Sequence, residues 1–205
     1  MENVGSLSST QNQGREISSG NGILNLEQVL ERLKLRTHAY HKNYLAMYSS
    51  WYGGIVTDPI LMSVPMDDHM VHRGDGVFEA IRCAGGNIYM LNRHLDRLWT
   101  SAERVQLTIP MDREEMSKTI VETVRAAGQM DSVIRLYVSR GPGSFTPNPY
   151  ESVQAQLYIM ITALNMAASD ERYHKGVSMM TSKISVKEGI FATVKSCNYL
   201  PNVLM

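Results

Sequence analysis

VIRLYVSRGPGSFTPNPYESVQAQLYIMITAL, running from Val133 to Leu164, decides the fold. In VIRLYVS, Arg135 and Tyr137 alternate with Ile134, Leu136 and Val138, the period of a strand with one apolar face. RGPGSFTPNP breaks that pattern with Gly and Pro, and QLYIMITAL resumes it as a second, more apolar strand. Strand returns to strand here through a loop and not through a helix. Upstream, YLAMYSSWYGGIVTDP carries a Gly53-Gly54 turn between strand-like halves and ends at Asp58-Pro59, while VFEAIRC reverses at Gly85-Gly86-Asn87 into IYML. Hairpins mixed with helices, in place of strict strand-helix alternation, predict an α+β class.

Helices are expected around these strands. Asn25 caps NLEQVLERLKLR, whose Leu26, Val29, Leu30 and Leu33 form one stripe, and this reads as a packing or oligomer helix outside the main fold. A second helix, capped by Asn92, carries Leu95, Leu98, Trp99, Ala102 and Val105 on one face and leaves Arg97 off it. Another begins at Asp112, with Glu115 in the capping-box position, and stops at Gly128. MAASDERYHKG reads as a polar connector and VSMMTSKI as a strand that opens a second unit. The expected organisation is a disordered tail over 1–24, an accessory helix over 25–43, an N-terminal α/β domain over 44–166 and the beginning of a second domain over 175–205.

Composition narrows the partners. The chain has 205 residues, 43% hydrophobic and 20% charged, enough for a real core. Its 20 basic and 20 acidic residues cancel, so no overall field gathers nucleic acid or an anionic membrane. Small molecules, or a second copy of the chain, are the expected partners. Cys83 and Cys197 lack paired-cysteine spacing and read as reduced thiols, which points to a cytoplasmic setting and leaves organelle import open. No apolar run has the length of a membrane span, and the first residues lack a secretory hydrophobic block. His69 and His72, near Asp67 and Asp68, do not follow a zinc spacing, so no metal site is expected. GDG from Gly74 and GPG from Gly141 fall short of a phosphate-cradling motif and read as turns.

Chemistry is concentrated in TVKSCNYLPN, Thr193 to Asn202, where Lys195 is the only charge. An amine flanked by Val194, Ser196 and Cys197, and approached through Ile190, Phe191 and Ala192, is expected to be partly desolvated, which favours its neutral, nucleophilic form. Such an amine condenses with aldehydes, and pyridoxal phosphate is the commonest biological aldehyde held that way. The alternative is an ordinary lysine with a buried stem and a solvated head. Arg97 offers planar donors that suit a phosphate, or else pairs with Asp96 or Glu103. Arg82 and Arg135 lie in apolar strands where a charge needs a partner, and a substrate carboxylate or a structural acid serves equally.

Three motifs, GDGVFEAIR (Gly74 to Arg82), HLDRLWTSAE (His94 to Glu103) and VKSCNYLPNVL (Val194 to Leu204), together resemble the class IV aminotransferases in order and approximate spacing. That family includes branched-chain amino-acid aminotransferases, D-amino-acid aminotransferases and aminodeoxychorismate lyases. The resemblance covers the chain from about Tyr44 onward. It implies a fold-type IV enzyme with pyridoxal 5'-phosphate between a small N-terminal and a larger C-terminal domain, usually a homodimer. By resemblance, Lys195 is the Schiff-base lysine, Arg97 contacts the cofactor phosphate, and Tyr199 approaches the cofactor's phenolic oxygen. Phe78 follows the branched-chain form of its motif, Arg135 matches an arginine that receives a substrate carboxylate, and Arg82 resembles a neighbouring pocket arginine. The Arg/His carboxylate trap of the D-amino-acid members is not visible in RGPGSFTPNP, which favours branched-chain substrates.

The implied reaction moves an amino group between an α-amino acid and a 2-oxo acid, with Lys195 also moving the proton at the substrate's Cα. In relatives the carboxylate that pairs with the pyridine nitrogen, and the loops that complete the phosphate cup, follow the lysine. With Met205 as the last residue, the expectation is a shortened chain holding the small domain and only the start of the large one. An aminodeoxychorismate lyase-type reaction and a non-catalytic fragment that keeps a dimerising domain are the alternatives.

Overall fold

A computed structural model describes residues 22–164, 166–184 and 189–204, so most of the expected tail lies outside the described residues. Among these, six strands form one antiparallel sheet in the order β2-β1-β6-β5-β3-β4. They are β1 (Tyr44–Ser49), β2 (Gly54–Val56), β3 (Gly76–Ala84), β4 (Asn87–Ile88), β5 (Ser132–Ser139) and β6 (Gln156–Ala163). The β5-β6 pair runs without a break from Ser132 opposite Ala163 to Ser139 opposite Gln156. β1 and β2 pair across a turn over Ser50–Gly53, closed by the Gly53 N–H on the Ser50 carbonyl at 3.2 Å, with Gly54 already in β2, and Asp58 caps the short 3-10 turn Pro59–Leu61 that follows.

Helices α3 (Leu91–Arg104) and α4 (Arg113–Ala127) cover one face of the sheet. There Val77, Ile81, Ile134, Leu136, Val138, Leu157, Ile159 and Ile161 form a buried cluster with Leu95, Leu98, Ala102, Met116 and Ile120. The strand pleat turns the alternate residues Phe78, Arg82, Arg135, Tyr137, Met160 and Thr162 to the opposite face, where they remain partly or fully exposed. One end of that second face is closed by the stretch preceding β3. Its buried Asp68 accepts a hydrogen bond from Tyr158 Oη at 2.9 Å and another from Ser139 Oγ, and caps α2 (His69–Arg73) through the Met70 N–H. Burial, and then the Asp68 carboxylate, push the Tyr158 phenol far above its ordinary range.

Asn25 and Gln28 form a capping box on α1 (Leu26–Leu35), and no residue of that helix is buried, in keeping with a helix outside the core. Asp112 caps α4 through the Glu115 N–H at 2.8 Å, and Gly128, at φ 66°, ends it. α3 starts earlier than expected: its cap position is Met90 at φ 48°, and Asn92 lies inside the helix with its carbonyl taken by Arg113 Nη2 at 2.7 Å. The tight Gly85-Gly86 reversal leaves a two-residue β4 in place of IYML, which frees Leu91 to join Leu95 and Leu98 against the core.

MAASDERYHKG, expected as a polar connector, is helical: it holds α5 (Met166–Lys175), where Glu171 and Lys175 pair one turn apart at 2.8 Å. One other expectation is corrected. VSMMTSKI is not a strand: residues 177–184 join no ladder among the described residues, and the Ile184 N–H donates to Ser182 Oγ at 3.1 Å. The short helices α6 (Gly189–Ala192) and α7 (Leu200–Leu204) flank the lysine segment. No described helix is long and apolar enough to cross a membrane.

Candidate active site

The outer edge of β3 is used twice. β4 pairs with it at Cys83 and Ala84, and the lysine segment pairs with its opposite end. Phe78 N–H donates to the Lys195 carbonyl at 2.9 Å, Cys197 N–H donates to the Gly76 carbonyl at 2.8 Å, and Ser196 lies opposite Val77. This pairing explains the GDG turn. Gly74, at φ 67°, ends α2 where a Cβ would come within 3.1 Å of Asn198, and a Cβ on Gly76 would stand 2.8 Å from the Val138 carbonyl oxygen and 3.2 Å from Cys197 Sγ.

Lys195 is partly buried and its amine turns to the face opposite the helices. Nζ lies 4.0 Å from the centroid of the Phe78 ring and 5.9 Å from that of Tyr199. Phe78 in turn meets Tyr199 edge-on at 5.4 Å and stacks on Tyr137 at 5.9 Å. These rings supply the apolar flank that the sequence assigned to the run before Lys195, where Phe191 is in fact 56% exposed. Burial pushes the Tyr137 phenol above its ordinary range.

Arg97 stands on the helix side. Glu79 falls between Val77 and Ile81 in the pleat, so it points under α3 and is fully buried. Arg97 Nε and Nη2 donate to its two carboxylate oxygens at 2.6 Å each, and His94 Nδ1 is 2.8 Å from Oε2. Burial pushes the Glu79 carboxyl up, but the hydrogen bonds and charges of Arg97 and His94 outweigh it and hold the group below its ordinary range. Glu79 in turn raises the Arg97 guanidinium. Asp96, expected as a partner of Arg97, pairs instead with Arg113 at 2.6 Å. Arg97 and Ser101 lie one turn apart on α3, and Val105 follows as its C-cap. Ser101 Oγ accepts the Lys195 N–H at 3.3 Å, and Val105 faces Val194 and Ser196 across a crevice of about 350 Å³. Arg97 is therefore one turn from the residue that holds the Lys195 backbone, with its own side chain still 54% exposed.

Arg135 Nη1 donates to Thr162 Oγ1 at 2.6 Å and lines, with Met62, Tyr137 and Met160, a cavity of about 450 Å³. Its cross-strand partner is Ala80, the next same-face pair after Phe78 and Tyr137, so Arg135 shares the face of the Lys195 amine. Arg82 is exposed on that face but lies four residues, roughly 13 Å, along β3 from Phe78. The structure thus brings Lys195, Phe78, Tyr199 and Arg135 to one face, sets Arg97 behind it on α3, and leaves Arg82 apart. Glu79 and His94 escaped the sequence reading. The available signal was the register of Glu79, two residues from Val77 and two from Ile81. Among the described residues no group of three metal-ligating side chains occurs. Neither cysteine forms a disulfide; Cys83 is buried and Cys197 partly so.

Residues 76–205 match the family model for amino-transferase class IV. The chain belongs to the class IV aminotransferase family. A chloroplastic D-amino-acid transaminase of Arabidopsis thaliana is 43% identical over 182 residues, which span 89% of this chain and 47% of that protein. A D-alanine aminotransferase of Listeria monocytogenes is 27% identical over 145 residues, 69% of this chain and 49% of its own length. Among solved structures, the T.th. branched-chain amino acid aminotransferase with pyridoxamine 5'-phosphate superposes with a TM-score of 0.67 at 25% identity, over 78% of this chain and 54% of that one. The class IV family and the fold-type IV architecture expected from the three motifs hold, and the chain spans about half the length of the curated relatives it matches.

Proposed function

We propose that the chain carries the reactive amine and the phosphate grip of a pyridoxal-phosphate-dependent aminotransferase acting on α-amino acids and 2-oxo acids. One observation carries the reading: Lys195 Nζ lies against Phe78 and Tyr199, while Ser101 ties the Lys195 backbone to the stripe of α3 that bears Arg97. The residues present fit the cofactor. An amine flanked by ring faces suits a flat aromatic aldehyde, and a guanidinium held along one edge keeps donors for a phosphate on the other. When bound, pyridoxal phosphate supplies a conjugated ring that draws electron density from the substrate's Cα.

The chain's own side chains do the rest. Lys195 Nζ would hold the cofactor through its aldehyde carbon and, as a free amine, would act as the base that takes the proton from the substrate's Cα. Arg97 binds the phosphate. Phe78 and Tyr199 orient the ring and exclude water on that side. Arg135 receives a substrate carboxylate, with Arg82 farther out along the same strand, and a homodimer is the assembly we assign. Titration with pyridoxal 5'-phosphate is expected to produce a visible absorbance band that is lost in Lys195→Ala. A protein showing no Lys195-dependent band at any pH overturns the proposal.

Two substrate readings remain within this class. Phe78 favours a branched-chain amino acid, whereas the relative at 43% identity bears the name D-amino-acid transaminase. Coupled assays with 2-oxoglutarate decide: faster 2-oxo acid formation from L-leucine supports the first, and faster formation from D-alanine the second.

A further inference from the structure

We infer that Glu79 is a positioning residue, which fixes the Arg97 guanidinium so that its outer edge is presented to the phosphate of the cofactor; the inference rests on the function proposed above. A fully buried carboxylate in the apolar layer between β3 and α3 is costly to desolvate, and an apolar side chain in the same place would serve stability as well. What a carboxylate adds is geometry. Two parallel hydrogen bonds of 2.6 Å, from Nε and Nη2, fix both the position and the plane of the guanidinium. A half-exposed arginine otherwise samples many rotamers, and ordering it at the moment of binding opposes affinity. The fork removes that freedom in advance.

It also selects which donors remain. With Nε and the inner hydrogen of Nη2 engaged, planarity leaves the Nη1 hydrogens and the outer Nη2 hydrogen on the edge away from Glu79. His94, one turn before Arg97, occupies Oε2 at 2.8 Å and keeps the carboxylate from turning out of the fork. Arg97 and Ser101 are successive members of one helical stripe, and Ser101 holds the Lys195 backbone. Glu79 therefore sets the guanidinium in the same frame as the amine without touching the cofactor itself.

The test compares pyridoxal 5'-phosphate with pyridoxal, which lacks the phosphate, by absorbance or fluorescence titration of wild type, Glu79→Gln, Arg97→Ala and the double variant. Glu79→Gln is expected to weaken the phosphorylated ligand by about tenfold or more while leaving pyridoxal within about twofold, and the double variant to bind no worse than Arg97→Ala alone. Equal losses for both ligands, the result of a merely structural role, overturn the inference, as does a Glu79→Gln loss that adds in full to that of Arg97→Ala. Glu79→Asp keeps the charge but withdraws the carboxylate by one methylene, and the same selective loss is required of it if Glu79→Gln does not fold. A wild type with no Lys195-dependent band removes the proposed function and this inference together. A wild type that binds, paired with an unselective Glu79→Gln, removes the inference alone.

Discussion

Along β3 and β5, neighbouring residues lead into different surroundings. Val77, Ile81, Ile134 and Leu136 are buried under α3 and α4, while Phe78, Arg135 and Tyr137, one step away on the same strands, stay partly exposed on the face to which the Lys195 amine turns. The pleat alone makes this division, and it lets one strand pack against the helices on one side and present Phe78 to the Lys195 amine on the other. Glu79 is the exception, a charged residue on the cohesive side. Its partner Arg97 reaches out of that layer, so the exception is where the two sides communicate.

Substitutions that treat the faces differently sharpen this contrast. Ile134→Ala, on the helix-covered face, should cost about 2–5 kcal/mol in urea unfolding through the cavity it leaves. Phe78→Leu, on the other face, should cost under about 1.5 kcal/mol and register instead in the cofactor absorbance. Comparable unfolding costs for the two would break the division. Tyr158→Phe lies on the second face but beneath the closed end, where it deprives buried Asp68 of a donor; a loss of about 1–3 kcal/mol is expected from the same measurement. A value near zero would mean that this end is as permissive as the open part.

Acid unfolding examines the exception. The folded Glu79 carboxyl titrates below its ordinary value, so its stabilisation is complete above the ordinary carboxylate range and is lost as pH falls through the lowered value. Wild type should therefore lose stability more steeply with acid than Glu79→Gln, and parallel curves for the two would contradict this assignment. The smallest effect belongs to the solvent side of α4, where Glu114→Gln removes an exposed pair with Lys118 and should change stability by no more than about 0.5 kcal/mol, seen as an unchanged urea midpoint.

What the sequence disclosed follows the range of the physics involved. Most local signals transferred, the Asn92 cap excepted. The alternation in VIRLYVS, the Asn25 and Asp112 caps, the chain reversal ending at Gly53 and the Gly128 stop each depend on a few adjacent residues, and each is present. Signals that need a distant partner did not transfer. VSMMTSKI has strand composition, but a strand is made by its neighbour. MAASDERYHKG reads as a polar connector without disclosing its helix, which polar residues with a Glu171-Lys175 pair suit. Glu79 and Arg97 lie on separate elements, so the obvious partners of Arg97 were acids on its own helix, and one of those, Asp96, is occupied by Arg113 from α4. The motifs single out Lys195, but of the two rings nearest its amine only Tyr199 is local in sequence, while Phe78 comes from β3, far away in the chain.

The docking of the lysine segment on β3 has a consequence for how the protein is followed in solution. The Phe78 amide is hydrogen-bonded to the Lys195 carbonyl, not to β5, so its protection from deuterium exchange tracks the seating of the last described segment, while the amides that β3 and β5 share track the sheet. A single backbone hydrogen thus records whether the amine has been delivered, before any ligand is added.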